Sequence, residues 1–394
     1  MEWKEYQIQD VCRLINGRAY SNDEMLEHGK YKIVRVGNLS GGNSTWFYSD
    51  LELPADKYCH NGDLLFAWAC TFGPHIWKED NTIFHYHIWK IVEDKDVVDR
   101  RFFYYYLKYA TGGFLGALNG SVMVHITKSS MEKMNIRIPK NLEDQHRIAS
   151  VLSSLDRKIE LNNKINADLE EMAQAIFKNW FVDFEPFKDG KFVDSELGMI
   201  PEGWKVGRLT DVIKLMPGGT PKTSEPLYWD NGTIPFFSPK DVNGVYCFAT
   251  EKHITEAGLN KCCSNLYPKD TIFITCRGTV GKVCLVACDM AMNQSNYAIK
   301  AIDGYSQYYV FFLVKSVVER LIKKSNGAVF SAITSKDFDE EILIPSQKAV
   351  EDFTNVIDGF FRRIFAIGTE NSRLSLLRDT LLPRLMSGEL EVPE

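Results

Sequence analysis

The sequence contains two copies of one pattern. Six residues of the first copy recur 201 positions later: Trp3, Lys4, Asp10, Val11, Leu14 and Gly17 return as Trp204, Lys205, Asp211, Val212, Leu215 and Gly218. The correspondence continues, shifted by a few residues, to Ile136-Arg137-Ile138-Pro139 and Ile342-Leu343-Ile344-Pro345. Solenoid proteins repeat every 20 to 50 residues or so, which makes this period too long for a solenoid. It predicts two whole domains of one kind, and a function that needs two similar but non-identical surfaces.

Size and composition fit a globular protein of two or three domains. The chain has 394 residues, of which 45% are hydrophobic, enough for separate packed cores. No apolar run approaches the ~20 residues of a membrane span, and Met1-Glu2-Trp3-Lys4 lacks a signal-peptide core, so we expect a cytoplasmic protein. The nine cysteines are an odd number, and we expect reduced thiols that fill cores.

Each copy predicts an α+β domain. Short β-rich runs such as Asp63-Leu64-Leu65-Phe66 are bounded by turn residues and predict the strands of a curved or barrel-like sheet. Helices are expected near residues 100–109 and 308–323, which contain the densest aromatic runs. Because such helices must cover a sheet, core packing is the favoured role of these aromatic side chains.

Each copy ends in one long helix with a coiled-coil seam. Four-residue and three-residue steps alternate along Ile148, Leu152, Leu155, Ile159, Asn162, Asn166, Leu169, Ala173, Ile176 and Trp180. The same rhythm returns 205 positions later at Phe353, Ile357, Phe360, Ile364, Ile367, Asn371, Leu374, Arg378, Leu381 and Leu385. Two such helices in one chain should pack on each other.

The packing direction follows from the bodies between the helices. Parallel helices would crowd two whole domains at one end, whereas antiparallel helices separate them and create a pseudo-twofold axis. We therefore expect a globular domain at 1–140, a helix at 141–185, a linker and second domain at 186–345, and a helix at 346–394. Asn162, Asn166 and Asn371 should lie near the centre of the seam, where bonded amides fix register.

Three motifs carry a resemblance to a known family. They are Leu197-Gly198-Met199-Ile200-Pro201-Glu202-Gly203-Trp204, Gly218-Gly219-Thr220-Pro221, and Leu381-Leu382-Pro383-Arg384-Leu385-Met386-Ser387-Gly388-Glu389-Leu390. In this order, with the duplication and the two helices, the sequence resembles the specificity subunits of type I restriction-modification systems over essentially its full length. The resemblance implies that each globular unit is a target recognition domain that reads one half of a split DNA sequence.

The resemblance also implies partners. The helices would set the gap between the half-sites and dock methyltransferase subunits, two in number, and a restriction/translocase subunit would join them. We find no dinucleotide fingerprint, Asn-Pro-Pro-Tyr motif, Walker loop or nucleophile-base set in the sequence. S-adenosylmethionine and ATP are therefore expected in partner chains, with no cofactor here. The net charge of −6 predicts weak DNA binding by the isolated chain, because Lys and Arg supply most non-specific affinity for DNA.

Candidate DNA contacts lie in two loops of the second copy. Thr220, Lys222, Thr223 and Ser224 offer hydroxyls and one ammonium to phosphates, although an ordinary Gly-Pro turn explains the same residues. Arg277, Thr279 and Lys282 predict a tight turn that presents cations to DNA, although a surface arginine in a strand-end turn is an equal alternative. This turn lacks the glycine spacing and the Ser/Thr of a phosphate-binding loop. In the first copy Arg18 and Ser21 are the corresponding candidates.

The histidines are not predicted to form a metal site. His75, His85 and His87 could be grouped with Cys59, His60 and Cys70, but none has the paired spacing of structural zinc sites. Core or surface histidines are the favoured interpretation.

Two other functions compete with DNA recognition. A coiled-coil scaffold whose paired domains bind proteins would agree with the negative net charge. A self-contained methyltransferase or nuclease is the weakest alternative, because the sequence lacks the motifs. A basic surface on the globular units would favour DNA.

Overall fold

A computed structural model describes residues 1–39, 44–69, 72–117, 126–302, 304–324 and 332–393. Its internal contacts divide the chain into two compact units. The first comprises Met1–Lys158 and Leu374–Glu394, and the second comprises Ile159–Arg373. Each unit therefore holds one copy of the repeat together with part of each long helix.

The strands of the two copies are short. In the first copy they are β1 (Trp3–Gln7), β2 (Cys12–Asn16), β3 (Tyr31–Val34), β4 (Phe47–Ser49), β5 (Tyr58–Cys59), β6 (Leu64–Ala67), β7 (Gly73–Ile76), β8 (Thr82–Phe84), β9 (Ile88–Glu93) and β10 (Asn135–Pro139). In the linker and second copy they are β11 (Phe192–Val193), β12 (Ile200–Pro201), β13 (Lys205–Arg208), β14 (Ile213–Pro217), β15 (Ile234–Phe237), β16 (Tyr246–Cys247), β17 (Lys252–Ile254), β18 (Ile272–Thr275), β19 (Val283–Val286), β20 (Ala291–Met292), β21 (Asn296–Ala301) and β22 (Glu341–Ile344).

The α-helices range from single turns to 41 residues. They are α1 (Ile8–Val11), α2 (Val36–Leu39), α3 (Arg100–Ala117), α4 (Lys128–Glu132), α5 (Leu142–Phe181), α6 (Glu256–Leu259), α7 (Gln307–Lys324) and α8 (Gln347–Ser387). Within the described ranges of the chain, no helix is both long enough and apolar enough to span a membrane.

The two copies share most of their strand topology and differ in the pairing of one strand, β5 in the first copy and β16 in the second. In the first unit β1 pairs with β10, one sheet has the order β2-β9-β6-β7, and another has the order β4-β3-β8-β5. In the second unit β13 pairs with β22, one sheet has the order β14-β21-β18-β19-β16, and another has the order β17-β15-β20. The parallel pair β3·β8 has its counterpart in β15·β20. The fold is thus α+β, with strands divided between separate sheets where the sequence suggested one curved or barrel-like sheet.

Aromatic side chains of α3 and α7 fill the cores, as the sequence predicted. Phe102 and Phe103 are fully buried in the first unit, in one apolar cluster with Ile91 and Leu64 of the sheet. In the second unit α7 contributes a buried set to the corresponding cluster: Tyr309, Val310, Phe311, Phe312 and Val314. Helices α3 and α7 therefore each cover the sheet of their own unit.

In the first unit the start of α5 and the end of α8 share one apolar core. Ile148 and Leu152 are fully buried there with Leu385, a residue of the predicted seam. Leu155 is half-buried. Arg378 occupies one seam position of α8, and its guanidinium Nη1 lies 2.7 Å from a carboxylate oxygen of Asp156. The charged residue is thus accommodated in the seam by an ion pair.

In the second unit α8 buries a wider stripe than the predicted seam. Phe353, Ile357 and Ile364 are buried as expected. Phe360 is only half-buried, whereas the neighbouring Phe361 is buried, a residue that the seven-residue rhythm did not select. The ring of Phe361 stacks on Tyr308 of α7 with 4.1 Å between centroids, because α8 packs against the globular domain as well as against α5.

Amides bond across the seam of the second unit. The Nδ2 of Asn162, a buried residue, donates to Asn371 Oδ1 and to Glu370 Oε2, each at 2.8 Å. Asn371 Nδ2 donates to Asn163 Oδ1 at 2.8 Å. The predicted bonding of Asn162 and Asn371 is therefore confirmed. Asn166 differs, because its buried Oδ1 accepts no hydrogen bond from the described residues. Of the other predicted seam residues, Ile159 and Leu169 of the second unit and Leu374 of the first are half-buried.

Candidate nucleic-acid interface

In the second unit, the loop after β14 is held close to the segment after β20. Gly219 N donates to the carbonyl of Met292 at 3.0 Å. A Cβ on Gly218 would lie 2.0 Å from the carbonyl oxygen of Asn293, which no side chain could tolerate. Glycine is required here because the two backbones approach so closely.

The candidate residues of this loop are at the surface. The Thr220 hydroxyl donates to the side-chain oxygen of Gln294. Lys222, Thr223 and Ser224 are exposed, while the carbonyl of Lys222 accepts the indole N–H of Trp229 at 3.1 Å. The loop is therefore fixed largely through its main chain, which leaves the Lys222 ammonium and two hydroxyls in solvent.

The second candidate loop is the hairpin turn between β18 and β19. Gly278 and Gly281 adopt φ values of 79° and 85°, the left-handed region that glycine enters without strain. The Thr275 hydroxyl donates to the carbonyl of Thr279 and accepts the Lys282 N–H at 3.0 Å. Arg277, Thr279 and Lys282 are exposed. The structure thus has the tight turn that the sequence predicted.

A third segment, Asn293–Asn296, joins the two loops. Cys276 N at the start of the hairpin turn donates to the carbonyl of Ser295 at 2.8 Å. Ile333 N in turn donates to the carbonyl of Cys276 at 2.9 Å. Residues 217–224, 276–282, 293–296 and 332–334 therefore meet in one surface, which we call the second loop face. Sequence reasoning missed the third segment because it carries no glycine, proline or charge.

The second loop face is basic although the chain is acidic. Its four segments contain Lys222, Arg277 and Lys282 and no aspartate or glutamate. The chain as a whole has a net charge of −6. Local positive charge of this kind attracts a polyanion and allows contacts to phosphate oxygens.

The first unit builds the same surface from different residues. Arg18 N donates to the carbonyl of Phe84 at 3.1 Å, and a Cβ on Gly17 would lie 2.3 Å from the carbonyl oxygen of His85. Trp68 N donates to the carbonyl of His87 at 3.1 Å. These contacts correspond one by one to those of Gly219, Gly218 and Cys276. Residues 16–18, 67–69, 85–88 and 126–128 form the first loop face.

The candidate cation of the first loop face is engaged within its own loop. Arg18 Nη2 lies 2.6 Å from Glu24 Oε1, and its guanidinium lies over the ring of Tyr20 at 5.3 Å. The Arg18 hydrogen bond lowers the pKa of the Glu24 carboxyl to about 2. Ser21 N donates to the other oxygen of the same carboxylate at 3.0 Å. In this structure the Arg18 guanidinium is therefore engaged within its own loop, whereas Ser21 contributes its backbone N–H to the same carboxylate and is exposed.

Aromatic and imidazole rings occupy the first loop face instead. Trp68 Nε1 donates to the carbonyl of Tyr86 at 2.9 Å. The ring of His87 lies 3.9 Å from that of Tyr86 and 4.9 Å from that of Trp68, between centroids. Burial lowers the pKa of His87, and lowers that of His85 to about 4. Both imidazoles are therefore neutral at pH 7.

The histidines and cysteines within the described residues are not brought together as metal ligands. Across the residues that the structure describes, no three His, Cys, Asp or Glu side chains are grouped as a metal site would require. Cys70 lies outside the described residues. Cys59 is buried in the core, and burial raises the pKa of its thiol above the usual range.

Comparisons with known proteins agree with this architecture. The sequence profile described as "Type I restriction modification DNA specificity domain" matches residues 1–171 and 201–360, one match for each copy. The MjaIX specificity subunit of Methanocaldococcus jannaschii is 31% identical over 309 residues, which is 76% of this chain and 71% of that protein. The HindI specificity subunit of Haemophilus influenzae is 26% identical in an alignment of 469 positions that covers 99% of this chain and 100% of that protein.

A solved structure shares the fold. The crystal structure of a type I restriction-modification S subunit from M. genitalium aligns with a TM-score of 0.56, over 98% of this chain and 96% of that one, at 16% identity. The two profile matches each contain one copy of the repeat and one loop face, and together they cover most of the sequence. The chain belongs to the family of type I restriction-modification DNA specificity subunits.

Proposed function

We propose that the two loop faces read the two halves of a bipartite DNA target. The observation that carries this proposal is that both copies hold their loops with the same backbone contacts but present different side chains. Three exposed cations occupy the second face, and aromatic and imidazole rings occupy the first. One framework with two chemistries is what a split, asymmetric target requires.

Catalysis belongs to the partner subunits. A specificity subunit is the non-catalytic recognition component of its complex, and membership in the family makes this chain a DNA-recognition subunit. The comparisons give no support to a scaffold that binds only proteins. S-adenosylmethionine and ATP would be bound by the methyltransferase and restriction/translocase chains. Because its target is genomic DNA, we place the assembled enzyme in the cytoplasm.

The long helices are the proposed docking surface for two methyltransferase subunits. In the second unit Leu161 and Met172 of α5 are 53% and 52% exposed, and three turns of helix place them on one face. In the first unit Leu376 of α8 is 69% exposed and Leu377 is 46% exposed. Large apolar side chains left in solvent on a helix often mark a protein interface.

The helices also serve as the proposed ruler between half-sites. With 40 and 41 residues at ~1.5 Å per residue, each is ~60 Å long. Bonded amides in the seam oppose slippage, because a shift of register would leave buried amide groups unpaired.

Co-expression with the methyltransferase subunit of the same system tests the function. Sequencing of methylated adenines in host DNA should return a two-part sequence with an unspecified gap of fixed length. The variant Lys222→Gln with Arg277→Gln should lower methylation, whereas Lys205→Gln with Lys214→Gln, at exposed positions of β13 and β14, should not. A continuous target without a gap, or methylation that does not depend on this chain, would contradict the proposal.

A further inference from the structure

The first loop face is built for apolar contact. Tyr86 is 40% exposed, so a large part of its side chain is accessible to a ligand. Its ring lies 6.3 Å from that of Trp68, and the rings of Trp68 and Trp89 stack at 5.8 Å, between centroids. An exposed ring supported by two half-buried or buried rings is held rigidly and offers a fixed surface to a ligand.

A groove runs along this cluster. It has a volume of about 410 Å³, and its apolar wall is formed by Trp68, Tyr86, Trp89 and Ile126. Asn16, Gly17, Thr127 and Lys128 line the rest, and the Lys128 ammonium lies 3.6 Å from the Glu132 carboxylate. Since Arg18 is also paired to a carboxylate, both cations of the first loop face are engaged, in contrast to the second face.

The position of the cluster connects it to DNA. Arg18 N bonds to Phe84 O as Gly219 N bonds to Met292 O, and Trp68 N bonds to His87 O as Cys276 N bonds to Ser295 O. These pairs align Tyr86 with Gln294 and His87 with Ser295. The aromatic side chains therefore stand where the second face presents polar ones, at the meeting point of the loops.

The chemistry of the groove indicates which part of DNA it fits. The major groove offers a single apolar group, the C5 methyl of thymine, and apolar side chains contact it. A neutral imidazole can donate one hydrogen bond and accept another, so His87 can contact the base edge beside that methyl without a charge. Phosphates, by contrast, are contacted mainly by cations and by N–H or O–H donors.

We propose that Trp68, Tyr86 and His87 are specificity-determining residues of the first unit, and that they select an A·T pair by enclosing its thymine methyl group. This inference rests on the proposed function, because it assigns a chemistry to one of the two half-sites. It assigns no such contact to the second loop face, where Gln294 and Ser295 occupy the equivalent positions.

Uracil substitution tests the inference at the level of one methyl group. Deoxyuridine has the same base-pairing groups as thymidine but lacks the C5 methyl. Binding of the complete complex would be measured with duplexes in which each thymine of the mapped target is replaced by uracil in turn. One replacement in the first half-site should weaken binding about fourfold, the equivalent of ~0.8 kcal/mol for one buried methyl or methylene group.

Protein variants assign that effect to residues. Tyr86→Ala should bind the thymine and uracil duplexes of that position equally, while it keeps the wild-type preference at every position of the second half-site. Tyr109→Ala removes another exposed ring of the same unit, on α3, and should leave the uracil response unchanged. Because Tyr86 is exposed, its removal should preserve folding, and a thermal melt of each variant checks this.

The outcomes separate the two levels of the argument. If the complex methylates no bipartite target, the proposed function fails. If methylation is normal but no uracil in the first half-site weakens binding, or if Tyr86→Ala retains the uracil response, the function stands and the inference is overturned.

Discussion

The three cations of the second loop face allow a quantitative prediction of how salt concentration changes the affinity for DNA. The triple variant Lys222→Gln, Arg277→Gln and Lys282→Gln removes the three cations from a surface whose segments contain no carboxylate. If each cation neutralises one phosphate, the slope of log K against log salt becomes less negative by about 0.9 per cation, or about 2.7 in total.

The predicted slope converts to a measurable change in affinity. Raising the salt concentration fourfold, from 50 to 200 mM, should weaken the wild-type complex by about 40-fold more than the variant complex. The assay is fluorescence anisotropy with the assembled specificity and methyltransferase subunits, titrated against a labelled duplex that carries the target. The variant should lose affinity at low salt, where the lost contacts matter most.

A matched control fixes the interpretation. Lys205→Gln, Lys214→Gln and Lys300→Gln remove three exposed cations from β13, β14 and β21, outside the second loop face and the long helices, and change the net charge by the same amount. Their slope should stay within experimental error of wild type. An unchanged slope in the loop variant, or an equal change in both variants, would refute the idea that these cations contact phosphates.

Three further predictions concern the framework. Insertion of one heptad into the middle of each long helix preserves the seam and lengthens each helix by ~10.5 Å. Methylation mapping should then find the same half-sites with a gap about three base pairs longer. An active variant that keeps the original gap would contradict the ruler. Asn162→Leu should lower the free energy of unfolding by ~1–3 kcal/mol, because the side-chain oxygen of Asn371 loses its donor. Adding Asn371→Leu should restore stability, which chemical denaturation would measure. If the losses of the two single variants simply add in the double variant, the register role is excluded. Gly218→Ala should abolish recognition of the second half-site, because its Cβ would lie 2.0 Å from a carbonyl oxygen. As the matched control, Gly359→Ala lies in open space on α8 and should stabilise the helix by ~0.5–1 kcal/mol. Wild-type methylation by Gly218→Ala would contradict the close approach of the two backbones at that position.

Much of the fold could be predicted because its signals are local or periodic. The unbroken four-and-three rhythm predicted helices at 141–185 and 346–394, and the structure has Leu142–Phe181 and Gln347–Ser387. Burial of Phe361 in addition to the seam was not predictable, because a heptad describes one partner helix while α8 also packs on α7.

The loop faces were predictable only in part. Glycines marked the loop at Gly218 and the turn at Gly278 and Gly281, since their positions reflect backbone conformation and close approach. The segments His85–Ile88 and Asn293–Asn296 were missed, because long-range strand pairing brings them to the face. In the sequence Arg18 resembled the candidate cations of the second copy. Only the folded loop shows that its guanidinium pairs with Glu24.

The way the faces are held has a consequence for how specificity can change. Main-chain hydrogen bonds and glycine contacts fix the geometry, whereas Lys222, Thr223, Ser224 and Tyr86 are exposed and contribute little to folding. Evolution, or a protein engineer, can therefore replace the exposed side chains that face the DNA while the backbone contacts that position them stay intact. Sequence diversity among such proteins should concentrate at the exposed positions and be nearly absent at Gly17 and Gly218, so a new target can arise without a new fold.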